Sequence, residues 1–405
     1  MESKRIFLVN QTDESQRYGV GKYLSEIIYE VKARQGVYSL IVITIGVFGI
    51  TKPEEIREDN VSYFNIPKPY FLGTSIHSLS NQFSKAIFCV LTDFFIIRST
   101  DLFHFNSNMQ YFLIKDIKEK TTAKIIYTVH VSLWKVFFNN NFDNFFLEWN
   151  NETSISRSIR NIKAEVKSCE LSDRVICLSD GMKKDVLELY KIPESKIKKV
   201  ENGIHIKDYE NFDKKELIEI RSKLKVASKE FVFMYIGRLN AQKGVIQLIE
   251  SIKRVIHEEN SNIKLVLVGD GDLNSSLLEN CKGIEQNIVF TGYVQPNRIN
   301  YYYKLADALV FPSLNEQSSY VMLEAMSNKV PMIVTESDTF EMLKDEFSCL
   351  KVYCSNTEID IDSFVKKIKL LINNNSLRSN IANNAYLLYK KAYSSSKMFV
   401  NTYES

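Results

Sequence analysis

A chain of 405 residues is too long for one ordinary core and suits two domains of about 200 residues each. Its 45% hydrophobic and 25% charged residues place it with soluble globular proteins and exclude the disordered class. A net charge of +3 lacks the concentrated basic stripe of a nucleic-acid binder, although it permits contact with an anionic membrane surface.

The opening MESKRIFLVN runs straight into a strand (6–9) without the apolar core of a signal peptide, so a cytoplasmic protein is expected, with attachment at the inner membrane face permitted. RYGVGKYLSEII (17–28) follows as a glycine-bearing turn into a helix, in which Gly19 and Gly21 would let backbone approach a phosphate closely. Further strands are expected at 40–44, 102–105, 125–129 and 174–178. The apolar stretch 86–97 is too short to span a bilayer, carries Asp93 and reads as a buried helix. His130 closes the strand KIIYTVH, a position that favours a functional role; His77, His104, His205 and His257 have no such placement. Residues 134–152, with aromatic clusters broken by asparagines, read as a loop and helix packed on the first domain, or as an aromatic lip facing an acceptor or a membrane. The six cysteines form no C-x-x-C pair, which argues against a disulfide framework or a zinc site and fits a reducing compartment.

VENGIHIKDY (200–209) marks the join between domains. Beyond it, strands are expected at 231–236, 264–268, 288–290, 308–311 and 332–334, with an amphipathic helix at 245–256. Short apolar strands alternating with helical segments point to α/β units around parallel sheets. GRLNAQKG (237–244) puts Arg238 and Lys243 at the carboxyl end of a strand, where open α/β sheets bind ligands. Two cations there suit phosphate oxygens. Asp270-Gly271-Asp272 matches D-x-D but reads as a βα turn and not as a metal site, because the cationic pair already supplies the phosphate's counter-charge. In PSLNEQSSYVMLEAM a helix begins near Ser318 or Ser319, and its first N–H groups suit a diphosphate. Glu324 lies within that helix, where a carboxylate can accept from vicinal ribose hydroxyls. Glu316 precedes it, eight residues earlier in an E-x7-E spacing that is weak by itself.

From residue 172 to 342 the order RVICLSDGMKKDVLELYKIPESKIKKVENGI, YIGRLNAQKG, LVLVGDGDL, IVFTGYVQPNRINYYYKLADALVFPSLNE and LEAM resembles the C-terminal half of the retaining GT-B-fold glycosyltransferases. This is glycosyltransferase group 1, family four, related to bacterial mannosyltransferases and sucrose synthases. The resemblance implies two Rossmann-like domains with parallel sheets facing an interdomain cleft. They would be an acceptor-side domain (1–202), a nucleotide-sugar domain (203–390) and a C-terminal helix (391–405) returning to the first domain. It implies transfer of a sugar from a UDP- or GDP-linked donor to an acceptor hydroxyl with retention of configuration, needing no cofactor and no metal. The acceptor would be a glycan, a lipid-linked or small molecule, or a peptide, and no nucleic acid is involved. Positions matching Arg238 and Lys243 bind the donor diphosphate, that matching Glu324 the ribose, and those matching Glu316 and His130 the donor sugar. Gly269, Asp270 and Val294 would line the base pocket, with Gly237, Ser318, Ser319, Tyr320 and Val321 completing the donor site. The chain departs from the family where E-G-F-G-L becomes Glu316-Gln317-Ser318-Ser319-Tyr320, where Lys329 precedes Pro331 in place of glycine, and where Asp338-Thr339-Phe340 replaces Gly-Gly before Glu341. Serines at the first of these can still donate hydrogen bonds, so a shifted sugar preference is expected. The rival readings are a catalytically silent nucleotide-binding scaffold and a nucleotide-sugar epimerase on the same fold.

Overall fold

A computed structural model describes residues 3–11, 19–68, 76–107, 110–151, 156–205, 213–240, 243–259, 262–271, 274–313, 319–337, 340–354 and 358–404. The chain divides into two compact units: Met1–Gly203 with Ser395–Ser405, and Ile204–Ser394.

The first unit opens with β1 (Lys4–Asn10), α1 (Gly19–Lys32), β2 (Tyr38–Val47), β3 (Glu54–Glu58) and β4 (Val61–Pro67). It continues with α2 (Ile76–Phe94), β5 (Leu102–Phe105), α3 (Tyr111–Lys120), β6 (Lys124–Val129), α4 (Leu133–Phe137) and α5 (Phe142–Trp149). α6 (Arg157–Leu171), β7 (Arg174–Cys177), α7 (Asp180–Glu188) and β8 (Ile197–Lys199) complete its first stretch. The sheet order is β3-β4-β2-β1-β5-β6-β7-β8, parallel throughout except for the β3–β4 hairpin. Phe7, Leu8 and Val9 of β1 are wholly buried, as befits a central parallel strand covered on both faces.

The second unit holds α8 (Lys214–Lys223), β9 (Phe231–Ile236), α9 (Val245–Glu259), β10 (Ile263–Val268), α10 (Asn274–Asn280) and β11 (Ile288–Gly292). There follow α11 (Ile299–Leu305), β12 (Ala308–Phe311), α12 (Tyr320–Ser327), β13 (Met332–Thr335), β14 (Leu350–Val352), α13 (Ile361–Asn373) and α14 (Asn375–Ala392). Its sheet, β11-β10-β9-β12-β13-β14, is entirely parallel. The amphipathic stretch expected at 245–256 is α9, whose Leu248, Ile249, Ile252 and Val255 enter the core.

α15 (Ser395–Tyr403) belongs to the first unit. It packs on α1 and the start of β2: Phe399 meets Tyr38 edge-on at 5.1 Å, Ser395 donates to Glu30, and the Arg34 guanidinium stacks over Phe399 while bonding Ser396 Oγ at 2.9 Å.

All the strands expected from the sequence are present, and the described residues hold four more that the sequence does not predict. β3, EEIRE, is charged and lies at the sheet edge, where charge protects against further pairing. β4 buries Val61, Phe64 and Ile66, and β8 and β14 are three residues each, too short for a periodicity to show. The buried helix expected at 86–97 is corrected: α2 ends at Phe94, only Ile87 and Leu91 of that stretch are buried, and Ile96 is 83% exposed. Ile87 and Leu91 lie one helical turn apart on one face, while the apolar residues between them stay exposed or half-buried. Among the described residues no helix is long and apolar enough to cross a membrane.

One buried acid shapes the pH response of the first unit. Glu165 of α6 accepts from Tyr190 Oη at 2.6 Å and Tyr127 Oη at 3.3 Å. Burial pushes its carboxyl up to about 7, against the lowering effect of those two hydrogen bonds. Since the folded pKa exceeds the unfolded one, its contribution is full below about 4.5 and is lost as pH rises through 7, at about 1.4 kcal/mol per pH unit. Glu165→Gln should remove that loss, so the variant gains on the wild type between pH 5 and pH 8. Urea melts at the two pH values check this, and an unchanged gap between the two proteins contradicts it.

Candidate active site

In the second unit the strand order reverses between β9 and β12: β10 and β11 are added on one side of the pair, β13 and β14 on the other. Such a switch point opens a crevice outside the strands' carboxyl ends. Three loops meet there by backbone contact. Gly237 N donates to Val268 O at 2.9 Å, Leu239 N to Asp270 O at 2.8 Å, and Gly269 N to Gly292 O at 3.0 Å. The approach is close enough that a Cβ on Gly271 would lie 2.0 Å from Leu239 O. Leu239 is buried and the Arg238 carbonyl accepts from Tyr235 Oη at 2.8 Å, so the backbone flanking Arg238 is fixed on both sides while its side chain stays exposed. Asp270 is exposed beside it in the neighbouring loop.

Lys243 approaches from the β9–α9 loop. Its Nζ lies 3.4 Å from Ser313 Oγ, two residues beyond β12. Gly244 makes this approach possible: φ is +61°, and a Cβ there would stand 1.9 Å from Pro312 O. Ser313 is held in turn, its carbonyl accepting from Thr335 Oγ1 at 2.5 Å. α12 starts nearby in sequence, with Ser319 as N-cap, its Oγ accepting from Met322 N at 3.2 Å. Tyr320 and Val321 form its first turn, where N–H groups have no partner within the helix. One turn further, Glu324 Oε2 accepts from Tyr303 Oη at 2.9 Å, which fixes that carboxylate's rotamer. Val294 lies two residues past β11 and is partly exposed. Glu316 and Ser318, with Gln317 and Asp272, fall outside the described residues. Among the described residues no three His, Cys, Asp or Glu side chains gather into a group able to hold a metal ion.

In the first unit the switch point falls between β1 and β5. His130 leaves the end of β6, next to β5 in the sheet, and is mostly buried, with a small part of its surface open. Its Nε2 bonds Asn106 Oδ1 at 2.9 Å, and the ring packs edge-on against Tyr23 at 4.9 Å. Burial pushes its imidazole down to about 3, so it is neutral at ordinary pH. Gly19 and Gly21 form the first turn of α1, not a loop ahead of it, and a Cβ on Gly19 would meet nothing within 4 Å. Packing therefore leaves Gly19 free to be another residue.

Sequence reasoning passed over His104. Its Nε2 bonds Thr128 Oγ1 at 2.7 Å and its Nδ1 bonds Tyr403 Oη at 2.6 Å, so a residue of α15 reaches the buried end of β5. Burial, with the neighbouring His130, holds it down at about 3. The available signal was a histidine between two phenylalanines in a core strand, which must find partners when buried.

Solved structures share this architecture across the whole chain. A sucrose-phosphate synthase of Thermosynechococcus elongatus superposes with a TM-score of 0.76 at 15% identity, over 99% of this chain and 98% of that one. HepE of Anabaena, solved with UDP and glucose, gives 0.72 at 16% identity over 99% and 98%. These likenesses define the GT-B fold. Residues 19–208 match the glycosyltransferase family 4 model and residues 217–388 the model for glycosyl transferases group 1, so the chain belongs to the group 1 glycosyltransferase family. An uncharacterized glycosyltransferase of Methanocaldococcus jannaschii is 32% identical over 218 residues, 53% of this chain and 54% of the relative. The match thus spans about half the length of that relative.

Proposed function

We propose that the protein moves a sugar from a UDP- or GDP-linked donor to an acceptor hydroxyl, with retention and without a metal ion. The observation that carries this reading is the contact of Lys243 with Ser313 at the β9–β12 switch point, with Arg238 on the adjoining loop. A diphosphate between these cations and the head of α12 would have its charge met as it departs. Glu324 would hold the ribose, Glu316 and His130 the sugar, and Gly269, Asp270 and Val294 the base. HepE, bound to UDP and glucose, supports a nucleotide-sugar donor. In the transfer the bond from C1 to the diphosphate oxygen breaks and a bond from C1 to the acceptor oxygen forms on the same face. The acceptor proton passes to the leaving phosphate, so no protein base is required. The acceptor is a glycan, lipid-linked, small-molecule or peptide hydroxyl. Phe142, Phe146 and Leu147, exposed on α5, would suit peripheral contact with a membrane.

A panel of nucleotide sugars screened by thermal shift identifies the donor, because a true ligand stabilises by mass action. Transfer with that donor should then survive excess EDTA and give product of the donor's anomeric configuration by NMR. Inverted product, or activity abolished by EDTA and restored by manganese, overturns the corresponding part of the proposal. Nucleotide binding without transfer or hydrolysis on any acceptor favours the silent scaffold, and release of an epimer favours the epimerase.

A further inference from the structure

Asn106 follows β5, is 6% exposed, and bonds in two directions. Its Nδ2 faces two backbone carbonyls, Val9 O and His104 O, each at 3.4 Å. Its Oδ1 faces His130 Nε2 at 2.9 Å. Carbonyl oxygens only accept, so the amide is oriented by the backbone: the NH2 group must point at them and the oxygen at the imidazole. An amide oxygen only accepts as well. The ring nitrogen opposite it therefore carries the proton, and because the ring is neutral it carries only that one.

We infer that Asn106 is a positioning residue that locks His130 as the Nε2–H tautomer and leaves Nδ1 as a hydrogen-bond acceptor. Resting on the proposed role of His130 in the donor site, this deepens it by naming the chemistry His130 can recognise. A hydroxyl group, which donates, fits Nδ1. A carboxylate or phosphate oxygen, which only accepts, meets a lone pair and is rejected. His130 thus reads sugar hydroxyls and takes no part in gripping the diphosphate. Tyr23 limits the other freedom of the ring: its edge-on contact at 80° between ring planes opposes rotation of the imidazole away from Asn106. Tyr23 is itself seated beneath, with its Oη 3.5 Å from Thr128 Oγ1, the hydroxyl that His104 binds.

The test begins with the unsubstituted protein. Long-range proton–nitrogen NMR on a sample with 15N-labelled histidines, with His130→Gln to assign the signal, reads the tautomer directly. The expected result at pH 7 is a neutral ring protonated at Nε2, with an unprotonated Nδ1. A ring protonated at Nδ1, a mixture of tautomers or an imidazolium overturns the inference. Asn106→Asp keeps an acceptor opposite Nε2 but replaces the neutral amide by a carboxyl group, so it should move the His130 signal toward the imidazolium. Asn106→Ala should release the tautomer into a mixture and lower kcat/KM by roughly three- to tenfold, the scale of one net hydrogen bond. A tautomer that persists in Asn106→Ala means another group holds the ring, and Asn106 is then not its positioner. The two readings fail separately. Absence of glycosyl transfer by the wild type counts against the proposed function, whereas the tautomer is read without any turnover.

Discussion

Arg238→Ala is expected to lower turnover by roughly two to three orders of magnitude, and Lys243→Ala by a similar factor, the scale of losing one charge contact at a developing oxyanion. The structural cost of the first substitution should be small. Arg238 is exposed, and its loop is fixed by the Gly237, Leu239 and Tyr235 hydrogen bonds, which alanine leaves intact. A loss of turnover with an unchanged melting temperature therefore isolates the electrostatic role. Near-normal turnover of either variant at saturating donor removes the phosphate assignment and leaves the switch-point crevice without its chemistry. On the proposed transfer the effect should appear in kcat, because the charge on a leaving diphosphate would grow as its bond to the sugar C1 breaks.

Gly244→Ala should disable the same site by a different physical route. The substitution places a Cβ 1.9 Å from Pro312 O and 2.6 Å from Ile359 Cδ1, at a backbone φ of +61°. Strain in the left-handed region costs about 1–2 kcal/mol, and an overpacking clash adds about 1–3 kcal/mol. The contact is with a backbone carbonyl, so the loop itself has to move. It then carries Lys243 away from Ser313, and nucleotide binding should weaken along with stability. Gly283→Ala is the matched control: φ is +88°, yet a Cβ there would meet nothing within 4 Å, so it carries strain without collision. The check is the melting temperature and nucleotide affinity of both variants. Equal, small losses in the two would show that the close approach at Gly244 has no energetic consequence.

These sites were unequally legible in the sequence. Arg238 and Lys243 announce themselves because each follows an apolar strand in a glycine-bearing turn, and both the strand and the turn are local patterns. Gly244, by contrast, reads as an ordinary turn glycine, and its need for a missing Cβ comes from Pro312, 68 positions away in sequence. His104 and Asn106 were hidden for the same reason. The partners that define them are Thr128, Tyr403 and His130, brought alongside by the β5–β6 pairing and the return of α15. Periodicity located strands with continuous apolar runs, since a parallel strand covered on both faces must be apolar throughout. It failed for EEIRE, which pairs on one side only and owes its conformation to β4. The short α4 and α5, built around Trp134 and Phe145, follow from the contact of those two rings at 5.6 Å, an interaction that no spacing rule contains.

The return of α15 to the first unit also has a consequence for biosynthesis. A ribosome releases Met1–Gly203 first, then all of Ile204–Ser394, and only afterwards the segment that donates Phe399 and Tyr403 to the earlier unit. Until then Tyr38 lacks its ring partner and the His104 imidazole lacks the Tyr403 hydroxyl. The unit begun first is therefore finished last, and its nascent form must wait with part of its interior unsealed while the other unit, contiguous in sequence, can fold as soon as it emerges.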